Sequence, residues 1–352
     1  MGNSEYNEKN ILPADEIATF CSQISIILQA GIPLYDGVET LVESCKDKKA
    51  KKALQQIADD VVETGMLYTA VKNAGFFPKY MVNMVHIGEE AGKLDEVLHS
   101  LSVYYEREAR IKKSIKSAIS YPIVLIVMMV TVVAVLVTKI MPIFEKVFKN
   151  MGVQVSKSGK SIMNIGLTVG NIAFVFTAVL LLIIIIVYIL KRIGYGEALK
   201  NLSFKLPLLK GLNKKISASR FSAVIAMMLS SGYSLEKALE LSVGVVTDKL
   251  ARTKIEKCDA LLKEGKSFAE ALDEIKIFDG MQNRMISVGF KAGQLDSVMN
   301  KMTKIYDDEV EDTIDRLLSY IEPTLVAILS VVIGGILISV MLPLTSIMSS
   351  IG

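Results

Sequence analysis

Histidine is scarce: only His86 and His99 occur in 352 residues, which excludes most metal and triad chemistry built on imidazole. The three cysteines, Cys21, Cys45 and Cys258, are odd in number and lack metal-ligand spacing, so they are expected as free thiols in a reducing cytoplasm. No HExxH, CxxC or GxSxG is present. Gly159-Lys160-Ser161 and Gly265-Lys266-Ser267 end like a phosphate loop, but Gln154 and Ala260 stand where its first glycine belongs. Strand patterns are absent too; Asp279-Gly280 sits between helical patterns, not alternating ones. A net charge of +3 gives no reason to expect nucleic acid. These absences point to an all-α chain without a catalytic, cofactor or metal site.

Apolar residues make up 51% of the chain, concentrated in three runs. Tyr121–Ile140 has a single charge, Lys139, near its end; 162–190 and 323–351 have none. Each run is long enough to cross about 30 Å of hydrocarbon at about 1.5 Å per residue. Without buried aspartate or glutamate, the runs offer no proton relay and no intramembrane aspartyl protease. The predicted layout has a flexible amino terminus (1–12), a helical domain (13–118), a span (119–141), an external loop (142–161) and a second span (162–190). A second helical domain (191–319) and a third span (320–349) follow, with a short external tail. Arg107, Arg110, Lys112, Lys113 and Lys116 precede the first span, and Lys191, Arg192, Lys200, Lys205 and Lys210 follow the second. This bias places the amino terminus and both domains in the cytoplasm.

The chain repeats itself. IGEEAGKLDEVL at 87–98 returns as VGFKAGQLDSVM at 288–299, so Gly88, Gly92 and Asp95 recur as Gly289, Gly293 and Asp296, each 201 residues on. At the same interval Gly31 matches Gly232, Pro122 matches Pro323 and Pro142 matches Pro343, so the repeat takes in a membrane span. Gly88 and Gly92 are expected to supply positive φ at a helix end, and Asp95 to lie in the first turn of the next helix. Glu89 stands apart, because its counterpart is Phe290; this makes it the residue of the motif to examine for partner contact. Within the spans, Gly166 and Gly170 are spaced GxxxG, and Gly335 precedes Ser339 by four, which suits close helix packing.

The stalks that lead to the first and third spans differ in charge. Glu106–Lys116 carries five basic and two acidic residues, whereas Lys304–Arg316 carries two basic and six acidic ones. An acidic stalk beside anionic lipid calls for a positive neighbour, so the two stalks are expected to meet, within a protomer or across a dimer.

Two helical domains with a Gly-(Glu)-x-x-x-Gly-x-Leu-Asp element, each leading to a proline-started span, resemble the PilC/GspF family of platform proteins. The residues that carry the resemblance include Gly31-Ile32-Pro33-Leu34, Gly88-Glu89, Gly92-Lys93-Leu94, Tyr121-Pro122, Gly232, Gly289, Gly293-Gln294-Leu295 and Glu322-Pro323; Phe290 departs from the family's glutamate. The resemblance implies a non-enzymatic, homo-oligomeric scaffold in the inner membrane, serving a type IV pilus, a competence pseudopilus or type II secretion. It further implies contact with a hexameric assembly ATPase, with pilin or pseudopilin subunits, and with other inner-membrane assembly proteins. The alternative is a small transporter with cytoplasmic regulatory domains; three spans, uncharged interiors and a direct, not inverted, repeat argue against it.

Overall fold

A computed structural model describes residues 11–140, 207–246 and 248–351, with isolated positions (142, 143, 146, 147, 168, 175, 179 and 182) between. The expected loop at 142–161, the second span at 162–190, Gly166 and Gly170 thus lie outside the described residues, save for those isolated positions. All regular structure among the described residues is helical. The first repeat comprises α1 (Ala14–Gln29), α2 (Leu34–Ser44), α3 (Lys48–Thr64), α4 (Leu67–Ala74), α5 (Lys79–Glu90) and α6 (Leu94–Val135), which ends in a π turn, Leu136–Ile140. The second comprises α7 (Pro207–Ser230), α8 (Leu235–Val245), α9 (Lys249–Lys263), α10 (Phe268–Ile275), α11 (Gly280–Lys291) and α12 (Leu295–Ile351).

Glycine sets the corners. Gly31, Gly65 and Gly92 adopt positive φ (74°, 69° and 67°), and Gly232, Gly265 and Gly293 do the same in the second repeat. An L-residue would be strained at each. Between the corners, one apolar face per helix turns inward. Ile17, Phe20, Cys21 and Ile24 of α1 are buried, as are Ala218, Phe221 and Ile225 of α7. The same aromatic pair recurs in both cores: Phe20 with Phe77 at 5.2 Å between ring centroids, and Phe221 with Phe278 at 5.8 Å. Cys21, Cys45 and Cys258 carry free thiols, and burial pushes the Cys258 thiol up to about 12.

The chain divides into two compact units. One joins Met1–Lys113 with Ser203–Asp312, so the helices before both stalks pack as one body. The other joins Ser114–Leu202 with Thr313–Gly352. In the second unit, Tyr121 donates its hydroxyl hydrogen to Glu322 Oε1 at 2.9 Å, bridging residues at equivalent places in the two repeats. Two helices among the described residues are long and apolar enough to cross a membrane, Leu94–Ile140 and Leu295–Gly335. Their apolar windows are 12% and 0% covered by described residues, whereas the core helix of a soluble protein would be enclosed. Both helices run through a proline, Pro122 and Pro323, without a break. Neither proline begins a new helix. Each stalk continues as one helix into its apolar stretch. Gly335 is half-buried within α12.

Candidate functional site at the elbows and the junction of the repeats

Each elbow is a helix end, a three-residue turn and a new helix. After α5, Gly92 N–H donates to Glu89 O at 3.2 Å and Lys93 N–H to Gly88 O at 2.8 Å; after α11, Gly293 to Phe290 and Gln294 to Gly289 repeat the pattern at 3.2 and 2.9 Å. These paired bonds satisfy carbonyls that a helix end otherwise leaves open. Gly92 and Gly293 supply the expected positive φ, both at 67°. Gly88 and Gly289 do not, contrary to the sequence expectation. They are buried helical positions held to glycine by packing: a Cβ would lie 2.9 Å from Val97 Cβ at Gly88, and 2.4 Å from Val298 Cγ2 at Gly289. Asp95 and Asp296 fall in the first turns of α6 and α12, favourable to the helix dipole. The Asp95 carbonyl also accepts a hydrogen bond from the buried Ser25 hydroxyl at 2.9 Å.

Glu89 points inward to its own repeat. Its carboxylate accepts the backbone N–H of Leu67 at 2.7 Å and of Tyr68 at 3.0 Å, the first two amides of α4. The residue before α4 is Met66, whose side chain makes no cap. In the second repeat that place is held by Ser267, which forms a reciprocal capping box with Glu270. With α10 capped locally, Phe290 has no amides to serve, and it packs near Phe268 instead, 6.4 Å between ring centroids. The Glu89–Phe290 difference is accordingly a change in how one helix is capped.

Between the repeats lies a polar junction. Arg107 Nε meets Asp307 Oδ2 at 2.5 Å, and Ser219 Oγ donates to Asp307 Oδ1 at 2.5 Å, while Arg107 Nη2 donates to Ser219 Oγ. Beside it, Arg220 grips Glu108 through Nε and Nη2 at 2.7 and 2.6 Å. The basic and acidic stalks do meet, and within one chain. Burial pushes the Glu108 carboxyl up, but the Arg220 charge and hydrogen bonds, aided by Arg107 and Lys112, hold it below the usual carboxylate range. For Arg220, burial opposes the charged form and Glu108 more than restores it. A cleft of about 650 Å³ opens beside this junction, lined in part by His99, Arg107, Arg110, Asn300 and Asp308. Arg107 Nη1, buried there, has no hydrogen-bond partner.

Nearer the elbow, Lys93 Nζ donates to Ser231 O at 3.2 Å and the Tyr233 hydroxyl to Ile87 O at 3.3 Å. Of the residues singled out from sequence, the first elbow thus gathers Gly88, Glu89, Gly92 and Asp95, with Gly232 against Lys93, whose Nζ stands 3.4 Å from where a Cβ would be. Gly289, Gly293 and Asp296 form the second elbow, and Gly31 sits at an open corner. Stalk charge hinted at Arg107 and Asp307. Ser219, Arg220 and Tyr233 carried no signal, because their meaning comes from a partner about a hundred or more residues away. Among the described residues no group of three histidine, cysteine, aspartate or glutamate side chains could hold a metal ion. What the junction can do is fix the register of one repeat against the other.

The sequence model described as type II secretion system (T2SS), protein F matches residues 20–142 and again 221–343, covering both elbows and both stalks. The chain belongs to that family. Among curated relatives, the type IV pilus assembly protein PilC of Myxococcus xanthus is 30% identical over 338 residues, 96% of this chain and 81% of the relative. PilC of Thermus thermophilus is 28% identical, covering 96% of this chain and 83% of the relative. The type II secretion system protein F of Aeromonas hydrophila is 26% identical, covering 94% and 85%. The two matched stretches of this protein F family member begin 201 residues apart, the interval of its internal repeat.

Proposed function

We propose that this chain is a platform of the inner membrane on which a type IV pilus or a related secretion or competence filament is assembled. The observation that carries the reading is the double match to the protein F family, joined to near full-length similarity to pilus assembly and type II secretion proteins. On this reading the amino terminus and both helical domains (13–118 and 191–319) face the cytoplasm, where they engage a hexameric assembly ATPase. The three spans, 119–141, 162–190 and 320–349, receive pilin or pseudopilin subunits beside other assembly proteins. The chain itself does no chemistry: it transmits movement. A stalk helix that is continuous with an apolar stretch supports this role, since a rigid helix carries displacement along its length.

The test is co-purification of the full-length protein with the assembly ATPase encoded in the same organism, together with loss of surface filaments or secretion when the gene is deleted. Both are expected. Absence of ATPase binding, with solute flux in vesicles holding only this protein, would establish the transporter instead.

A further inference from the structure

The contact between the repeats is one-sided. The first repeat offers its elbow, α5 and the start of α6, to the corner between α7 and α8 of the second: Tyr233 reaches Ile87 O, and Lys93 reaches Ser231 O. Every partner in that contact has a counterpart 201 residues away that makes no such contact among the described residues. Ile87 is half-buried, whereas the equivalent Val288 is 68% exposed. Tyr233 is half-buried, whereas the equivalent Ile32 is 41% exposed. The chain therefore presents an open elbow on its second repeat and an open corner, between α1 and α2, on its first.

The two open faces match. The second elbow holds an open groove of about 810 Å³, lined by Met281, Met285, Val288 and Val298 and edged by Arg284 and Lys301. Met281 is 75% exposed there. The open corner carries Ile26, Ile32 and Tyr35, all exposed, above a row of exposed acids on α2: Asp36, Glu39 and Glu43. Apolar surface faces apolar surface, and the acidic row faces a basic rim. One of the two polar contacts can also be repeated, since Gln294 stands where Lys93 does and its side-chain amide can donate to Ala30 O as Lys93 donates to Ser231 O, while Ile32 in the place of Tyr233 offers apolar surface to Val288.

We propose that the occupant of the α11–α12 groove is the α1–α2 corner of a second copy of this chain, so that copies join head to tail by repeating between chains the contact made within one. Such heterologous contacts close into a ring when the rotation between repeats allows it, and extend otherwise. The platform would then present a cycle of equivalent elbows, two per chain. This assembly mode does not depend on which filament system the chain serves.

Chains with one introduced, exposed cysteine test it. In a full-length Cys45→Ser background, where the remaining Cys21 and Cys258 are buried, Ile32→Cys and Val288→Cys are placed on separately tagged chains and co-expressed. Mild oxidation of membranes is expected to link the two kinds of chain. Each variant expressed alone is expected to give several-fold less dimer. A chain with both cysteines should give linked multimers whose largest member counts the ring. As a second arm, Glu39→Arg should reduce the assembled mass in detergent, and Arg284→Glu in the same chain should restore it. Variants that melt like the parent yet give no mixed product, or link only like with like, would overturn the proposal; so would an assembled mass indifferent to both charge changes.

Discussion

Glu89 is a helix cap supplied from a distance, and its removal has a defined cost. Glu89→Ala leaves the first amides of α4 without an acceptor, expected to destabilise the folded unit by about 1 kcal/mol. Rebuilding the second repeat's solution in the first, Met66→Ser with Thr69→Glu, should recover most of that loss. Thermal melting checks both, and a Glu89→Ala that melts unchanged would show the cap to be idle. Glu108 works differently, since it is buried against Arg220. Glu108→Gln leaves that guanidinium without its counter-charge, at a cost of about 3 kcal/mol. Because the folded Glu108 titrates below the usual carboxylate range, its contribution is complete above that range and fades as pH falls through the lowered value. The gap between parent and Glu108→Gln should accordingly be full at pH 7 and narrow in acid, as read from melting at a series of pH values.

At the scale of elements, the elbow depends on two glycines for two unlike reasons. Gly92 turns the chain, while Gly88 lets α5 lie against Val97. Gly88→Ala is expected to cost about 1–3 kcal/mol by overpacking. Combined with Val97→Ala, it should cost less than the two changes added, because the shortened neighbour gives way. A purely additive pair would point away from this contact. The helices themselves are readable from the sequence, since apolar steps of three and four and glycine at many of the stops act locally: Ile17, Phe20, Cys21 and Ile24 fall at such steps and are buried. Gly88 was misread because a repeated glycine at a helix end looks the same whether φ or crowding demands it. Only the position of Val97 decides. The capping role of Glu89 gave no signal for a related reason: the amides that donate to it lie 21 and 22 residues earlier, and no spacing rule joins them.

For the whole molecule, the duplication was legible but the way the repeats fit was not. The contrast in stalk charge announced that the stalks meet, and Arg107 with Asp307 fulfils it. It gave no sign that α7 would bond to both of them, since Ser219 and Arg220 read in isolation as ordinary polar positions on a helix. The opposed charges of α2 and of the second elbow carry a further expectation. If copies join through those faces, raising salt from about 0.05 to 0.5 M shortens the screening length to a few ångströms and should shift the assembly towards smaller species. Mass measured by light scattering in detergent reads this directly, and a mass independent of salt would count against charge as the guide.

The two ways of capping one helix also set how local openings spread. In the first repeat the cap of α4 belongs to the elbow, so any fluctuation that frees Glu89 exposes the Leu67 and Tyr68 amides to exchange at the same moment. In the second repeat Ser267 and Glu270 keep α10 closed whatever the elbow does. Two repeats of one design thus differ in cooperativity: the first elbow opens with α4, and the second opens alone.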